Sequence, residues 1–438
     1  MRDPYSHQNI WRIAAPMILS NISPPLLGLV DTAVMGHLES PHYIGAVAVG
    51  SVVFGFLYLV FNFLRMSTTG LAAQAQGAGD ESAIRVTLVQ ALMVAFAIAI
   101  ALVVLQRPVG RLAFALIGPD AEVSRAAWEY YTTRIWSAPA TLGTFALMGW
   151  FIGLQNARAP LAIVLVVNTL NIALDIVFVP VLGMRTGGVA LASVIAEYVG
   201  LVYGLWLARA HLRGASASLA EVFDRARLRR LFTVNANLFV RTLALMFAFA
   251  FLTAMGARQG EVILAANAIL INLLYLMAYA LDGLANAAEA LVGRAIGARD
   301  REGLHLAVRR SLSWCAGVAV LIATAYAIAG PAIVALLTDL PEVRETTNTY
   351  LPWIVAAPVI CAWCYLYDGV YVGATLSREM RDTMLLSLVG FLVAWWLLRP
   401  LGNHGLWLAF MLFNAARALF QHLWFNRLDA RGRLVPVA

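Results

Sequence analysis

Long apolar runs separated by short polar breaks extend from about residue 13 to residue 426. Runs such as 86–105 and 387–398 approach or match the roughly 20 residues that a helix needs to cross a bilayer core. Together the runs predict about twelve spanning helices, over 13–36, 43–64, 86–105, 128–154, 160–183, 187–208, 232–256, 262–292, 306–337, 350–376, 383–401 and 404–426. They are continuous and rich in Leu, Ala and Val, whereas a β-barrel strand is a segment of about ten alternating residues. The first run is too long for a signal-peptide core and lacks a small-residue cleavage site, so it is expected to remain as the first helix. Composition agrees: 61% of residues are hydrophobic and 13% charged, against about 45–50% and 25% in soluble chains. The fold class is therefore an all-α polytopic membrane protein.

An internal repeat organises the runs. Gly77-Ala-Gly-Asp80 recurs as Gly297-Ala-Arg-Asp300, Gly149-Trp-Phe-Ile-Gly153 as Gly369-Val-Tyr-Val-Gly373, and Met35-Gly36 as Met255-Gly256, always 220 residues apart. Arg158 and Arg378 keep that offset, and Gly188-Val-Ala-Leu-Ala192 resembles Gly405-Leu-Trp-Leu-Ala409 at a slightly shorter one. Six helices per half is an even number, so both halves have the same orientation, and a pseudo-twofold axis along the membrane normal should relate them. The expected organisation is an N-lobe over 1–208, a polar linker over 209–230 and a C-lobe over 231–438.

All 31 basic residues are Arg, and their placement sets an expected orientation. With the N-terminus inside, only Arg107, Arg111, Arg125, Arg185, Arg258, Arg344 and Arg399 lie outside, while Arg65, Arg134, Arg241 and Arg417 fall within or at the ends of helices. The other twenty are cytoplasmic, which places both termini and the linker in the cytoplasm. This bias accounts for the net charge of +7, so no nucleic-acid partner is expected; such a partner needs a clustered basic face.

Acidic groups inside the spans are the candidate chemistry. Asp31 stands alone in an uncharged run from Pro16 to Gly36. An intramembrane carboxylate costs several kcal/mol, so it usually faces a cavity or a partner. Pro16, Pro24 and Pro25 on the same helix each remove an amide donor, giving either a static kink or a bend that protonation changes. In the second half Asp282 and Glu289 lie seven residues apart, Asp368 follows two helices later, and Arg241 is expected to neutralise one of these acids. Glu197 is also intramembrane, in a proton network or in a structural pair.

Pro16, Val30-Asp31-Thr-Ala-Val-Met-Gly-His37, Phe63-Leu-Arg-Met-Ser-Thr-Thr-Gly-Leu-Ala-Ala-Gln-Ala-Gln-Gly77, Asn168 to Asp175, Ile195-Ala-Glu197-Tyr and Ala280-Leu-Asp282-Gly together resemble the multidrug and toxic compound extrusion (MATE) family, nearest its DinF-like branch. The resemblance runs from about residue 8 to residue 426. It implies two six-helix lobes around a central cavity, in the bacterial cytoplasmic membrane, exporting organic cations and other amphiphiles in exchange for protons or sodium. It also implies that Asp31 and Asp175 are the N-lobe carboxylates, that Ser193 stands where the family often has Thr, and that Pro16 is the bending residue. Leu27 departs from the Tyr that relatives often place there, which leaves the hydrogen bonding of Asp31 open.

Two desolvated carboxyls near one another cannot both ionise easily, so an Asp31/Asp175 pair suits proton exchange near neutral pH. Asn171 shares the helix face of Asp175 at i−4, and Asn168 lies one turn earlier. Their amides can serve both protonation states or simply tie helices together. In the repeat Asp31 aligns with Phe251, so the lobes cannot share one ion chemistry, and proton coupling is favoured over sodium. Met35, Phe54, Phe61, Tyr275, Tyr367 and Tyr371 are candidates for a polyspecific cavity lining, although most aromatics in such a chain face lipid or pack between helices.

Other classes fall away on chemistry. Without Lys there is no phosphate-binding GxxxxGK motif, and no catalytic set marks an enzyme. The seven His form no HExxH or paired spacing, so no metal is expected. Cys361-Ala-Trp-Cys364 lies inside a predicted helix and reads as buried free thiols. No cofactor is expected beyond H+ as coupling ion, with Na+ as the alternative. A lipid-linked precursor flippase and a passive channel are the rival transport readings, and a monomer in the lipid bilayer with small amphiphilic or cationic substrates is the expected assembly.

Overall fold

The computed structural model describes residues 3–35, 41–212 and 218–435, without the side chains of 24–35, 41 and 219. The helices are α1 (His7–Met35), α2 (Pro41–Phe61), α3 (Phe63–Gly77), α4 (Glu81–Val104), α5 (Gln106–Ile117), α6 (Ala121–Arg134), α7 (Ala138–Gly153), α8 (Arg158–Ile176), α9 (Thr186–Leu212), α10 (Leu219–Val222), α11 (Arg225–Ala257), α12 (Glu261–Gly297), α13 (Arg301–Leu337), α14 (Pro341–Gly373), α15 (Ser377–Leu398) and α16 (Gly402–Ala430). No strand occurs among the described residues. Among the described residues, ten continuous helical segments are long and apolar enough to span; the last of them, Ser377–Ala430, contains both α15 and α16. With α1, whose helical register is described to Met35, this gives two six-helix lobes.

Three local features differ from the expected spans. The second span continues beyond residue 64, because α3 follows α2 after a single break at Asn62 and runs on to Gly77. α5 is an added short helix; its twelve residues are too few to cross a bilayer. The linker is narrower than 209–230: α9 reaches Leu212, and Asp224 caps the start of α11 by accepting from the Arg227 amide at 2.8 Å.

The duplication seen in the sequence is a duplication of backbone contacts. A methyl group placed on Gly149 of α7 would sit 2.2 Å from the Arg65 carbonyl oxygen of α3, and one on Gly369 of α14 would sit 2.3 Å from the Ala285 carbonyl oxygen of α12. Both helix pairs cross at small residues that let the backbones meet, the usual means of close packing in membranes. Asp80 and Asp300, at equivalent positions, each cap the next helix, accepting from the Ala83 and Gly303 amides at 2.8 and 2.7 Å.

The lobes meet at the terminus-bearing end through a reciprocal contact. A methyl on Gly77 would lie 2.0 Å from the Arg294 carbonyl oxygen, and one on Gly297 would lie 2.0 Å from the Gln74 carbonyl oxygen. Residues 74 and 294 are themselves repeat mates, so the pseudo-twofold axis passes between these two turns. Side chains follow the same symmetry: Gln74 donates to Thr375 Oγ1 at 3.2 Å, and Arg294 donates to Gln155 Oε1 at 3.2 Å. Arg230 adds a bond to Gln74 Oε1 at 2.7 Å. The N-terminal segment crosses the seam as well, with Asp3 paired to Arg310 and the Trp314 indole donating to His7 Nδ1 at 2.9 Å. The Arg310 guanidinium holds the Asp3 carboxyl below the usual carboxylate range.

Gly297→Val is expected to open this seam without unfolding either lobe, because the clash falls on backbone across the lobe boundary. Overpacking of this kind costs about 1–3 kcal/mol. In a background with Cys315, Cys361 and Cys364 replaced, a cysteine at the fully buried Ala73 should resist a soluble maleimide and become reactive when Gly297→Val is added. Equal labelling rates in the two proteins would contradict the close approach.

Candidate functional site

In the first half, α1 and α8 start side by side, since Asn9 Nδ2 donates to Gln155 Oε1 just before α8 at 3.4 Å. They run parallel, and Asn168 donates to Ser23 Oγ at 2.5 Å across them. Asp175 lies seven residues beyond Asn168 and Asp31 eight beyond Ser23, about two turns in each case. The two backbone positions therefore reach the same depth on adjacent helices. The side chain of Asp31 lies outside the described residues, as does that of Met35.

Asp175 is fully buried. With its amide oriented so that nitrogen meets the carboxyl, Asn171 donates to Asp175 Oδ2 at 3.2 Å and accepts from Ser193 Oγ at 3.1 Å. Asn171 and Ser193 are buried too, at 1% and 4% exposure, so this bridge between α8 and α9 is shielded from water. Directly after Asp175 the helix widens into a π turn, Val177–Val181, containing Pro180. Such turns loosen the regular ladder and often mark functional places. Pro16 sits within an unbroken α1, where Ser20 Oγ bonds the Pro16 carbonyl at 2.9 Å; back-bonding of this kind bends helices. Glu197, half-buried on α9, does not join this group; Arg134 and Thr141 are the groups facing its carboxyl.

In the second half two of the three candidate acids are paired with arginines. Asp368 receives Arg241, Arg417 at 2.6 Å and Gln421 at 2.7 Å. Glu289 pairs with Arg65 at 3.3 Å, and Arg65 also donates to Asn286 Oδ1 at 2.8 Å. Arg65 comes from the first half, so this ion pair bridges the lobes. Asp282 makes no ion pair within 4 Å among the described residues. Three arginines thus face two of the three acids, Asp368 taking two of them and Glu289 one. The roles of Arg65 and Arg417 escape sequence reasoning: Arg65 pairs across the lobe boundary, and Arg417 joins Arg241, expected from the sequence to neutralise one of these acids, on Asp368.

The candidate cavity aromatics differ in their packing. Phe54 is 2% exposed, enclosed by Tyr58, Tyr130 and Tyr131 with the Arg134 guanidinium over its ring. Tyr371 is fully buried and donates to the Gln421 carbonyl at 2.7 Å, and Tyr367, 3% exposed, bonds His422 at 2.6 Å. The Phe54 ring and the Tyr371 hydroxyl are occupied inside the lobes, whereas Tyr367 also lines a cavity between α13, α14 and α16. Phe61 is half-buried against Phe63, and Tyr275, 40% exposed, stacks on Phe249.

Comparison with known proteins adds three findings. The MatE family model matches residues 16–177 and again 238–401, one match in each half. The chain is 45% identical over 416 residues to the DNA damage-inducible protein F of Escherichia coli (strain K12), covering 94% of this chain and 91% of that protein, and 25% identical to the probable multidrug resistance protein NorM of Rhizobium meliloti (strain 1021), covering 97% and 94%. The fold is similar to a crystal structure of MATE in the bent conformation, with a TM-score of 0.89 at 19% identity over 99% of this chain and 98% of that one.

Proposed function

Because the chain belongs to the MatE family of membrane transporters, we propose that it is a proton-coupled multidrug exporter, exchanging external protons for internal organic cations and amphiphiles by alternating access. It is a transporter and not an enzyme. The observation that carries the ion assignment is the dry Asp175–Asn171–Ser193 bridge at the depth of Asp31. A carboxyl there is neutral or charged at the expense of its surroundings, so a proton and a cationic substrate compete for it. Asparagine tolerates both states, because its amide can donate to a carboxylate and accept from the acid. The ion pairs that occupy Asp368 and Glu289 in the second half support the N-lobe, and a proton, over a sodium ion held in the C-lobe.

The sealed seam at the terminus-bearing end supports a state closed towards the cytoplasm, given the arginine-based orientation. Proton binding in the N-lobe would then change the course of α1 at Pro16 and release substrate outward. The test is transport in proteoliposomes with an imposed pH gradient and no sodium. Gradient-dependent movement of a fluorescent lipophilic cation is expected; movement that requires sodium and ignores pH would replace the proton reading with the sodium one.

A further inference from the structure

We propose that a groove between α13, α14 and α16, at the terminus-bearing end, binds an anionic phospholipid of the adjoining leaflet. The cavity has a volume of about 500 Å³. Its two ends differ in chemistry. Near the helix termini it is lined by His305, Arg309, Asn426 and Asp429, and deeper by Leu312, Ala316 and Trp363. Following the same helix faces towards the bilayer centre leads to Val320, Val359 and Leu419, which are 57%, 47% and 54% exposed. Apolar side chains so exposed on a spanning helix face lipid, so the groove opens to the membrane.

Charge selects the occupant. The Asp429 carboxylate is already held by Arg301 at 3.3 Å and His305 at 2.9 Å. Arg309 is exposed and makes no ion pair among the described residues. A phosphate at the groove mouth would therefore meet an uncommitted guanidinium and the Asn426 amide, which is fixed by its 2.9 Å contact with His422. His422 is fixed in turn by Tyr367. The ammonium of a zwitterionic headgroup would find only Asp429, whose charge is spent. Basic pockets between spanning helices favour anionic headgroups on these grounds, and the apolar floor takes an acyl chain.

The test is native mass spectrometry of the delipidated full chain with phosphatidylglycerol, phosphatidylcholine or inorganic phosphate. One saturable phosphatidylglycerol adduct is expected, with roughly fivefold weaker binding in Arg309→Gln, the loss of one basic contact. Arg309→Lys should retain most of the preference, and Asn426→Leu, a second variant, should weaken it as well. Arg309 is exposed, so its replacement should leave folding intact. Equal binding of both lipids, a preference unchanged in both Arg309→Gln and Asn426→Leu, or binding by inorganic phosphate as tight as by the lipid would each overturn the proposal.

Discussion

Replacing Asp175 with Asn is expected to reduce gradient-driven export to the level of protein-free liposomes while the protein still folds. Asn has the shape of Asp and keeps a polar contact with Asn171, and a neutral group suits a fully buried position better than a charged one. What it loses is the exchangeable proton. If Asp175 only tied α8 to α9, the amide would do so equally well and transport would survive. Asp31→Asn, at the same depth on the neighbouring helix, should behave in the same way. Expression and the melting profile in detergent identify a variant that has merely failed to fold.

Asp368→Asn should act on stability first. Arg241 and Arg417, 8% and 3% exposed, both direct guanidinium groups at this carboxylate. Removing its charge leaves two buried cations uncompensated, and breaking a buried pair in this way costs about 3–5 kcal/mol. The expected result is a clearly lowered unfolding midpoint in detergent, with Asp368→Glu milder. Asp282→Asn should change stability little, because Asp282 has no ion pair within 4 Å among the described residues. Equal midpoints for wild type and Asp368→Asn would mean that the two guanidiniums are satisfied elsewhere.

The helices and the duplication were readable from the chain because both rest on local periodicity: apolar runs give spans, and small residues at a fixed offset give repeated crossings such as Gly149 with Arg65 and Gly369 with Ala285. Asp175 and Asn171 share a face by their spacing of four, which is also local. Pairings across the lobe boundary are not encoded in spacing, so the partner of Glu289 could not be found from the sequence of α12 alone; it is Arg65, supplied by α3. The surroundings of the candidate cavity aromatics were hidden for a related reason. Composition marks Phe54, Tyr367 and Tyr371 as useful to a binding surface, but only packing decides whether a ring faces a cavity or another ring: Phe54 and Tyr371 are enclosed, while Tyr367 lines a cavity between α13, α14 and α16. The short amphipathic α5 falls below the length at which an apolar run signals a span.

Proton release on substrate binding tests the central claim most directly. In lightly buffered detergent solution, adding a permanently charged lipophilic cation should release protons from the wild-type protein in proportion to the sites filled, and release should vanish in Asp31→Asn and in Asp175→Asn. Tight binding to the wild type across the neutral pH range with no proton released would contradict competition between proton and substrate at the buried N-lobe carboxyls.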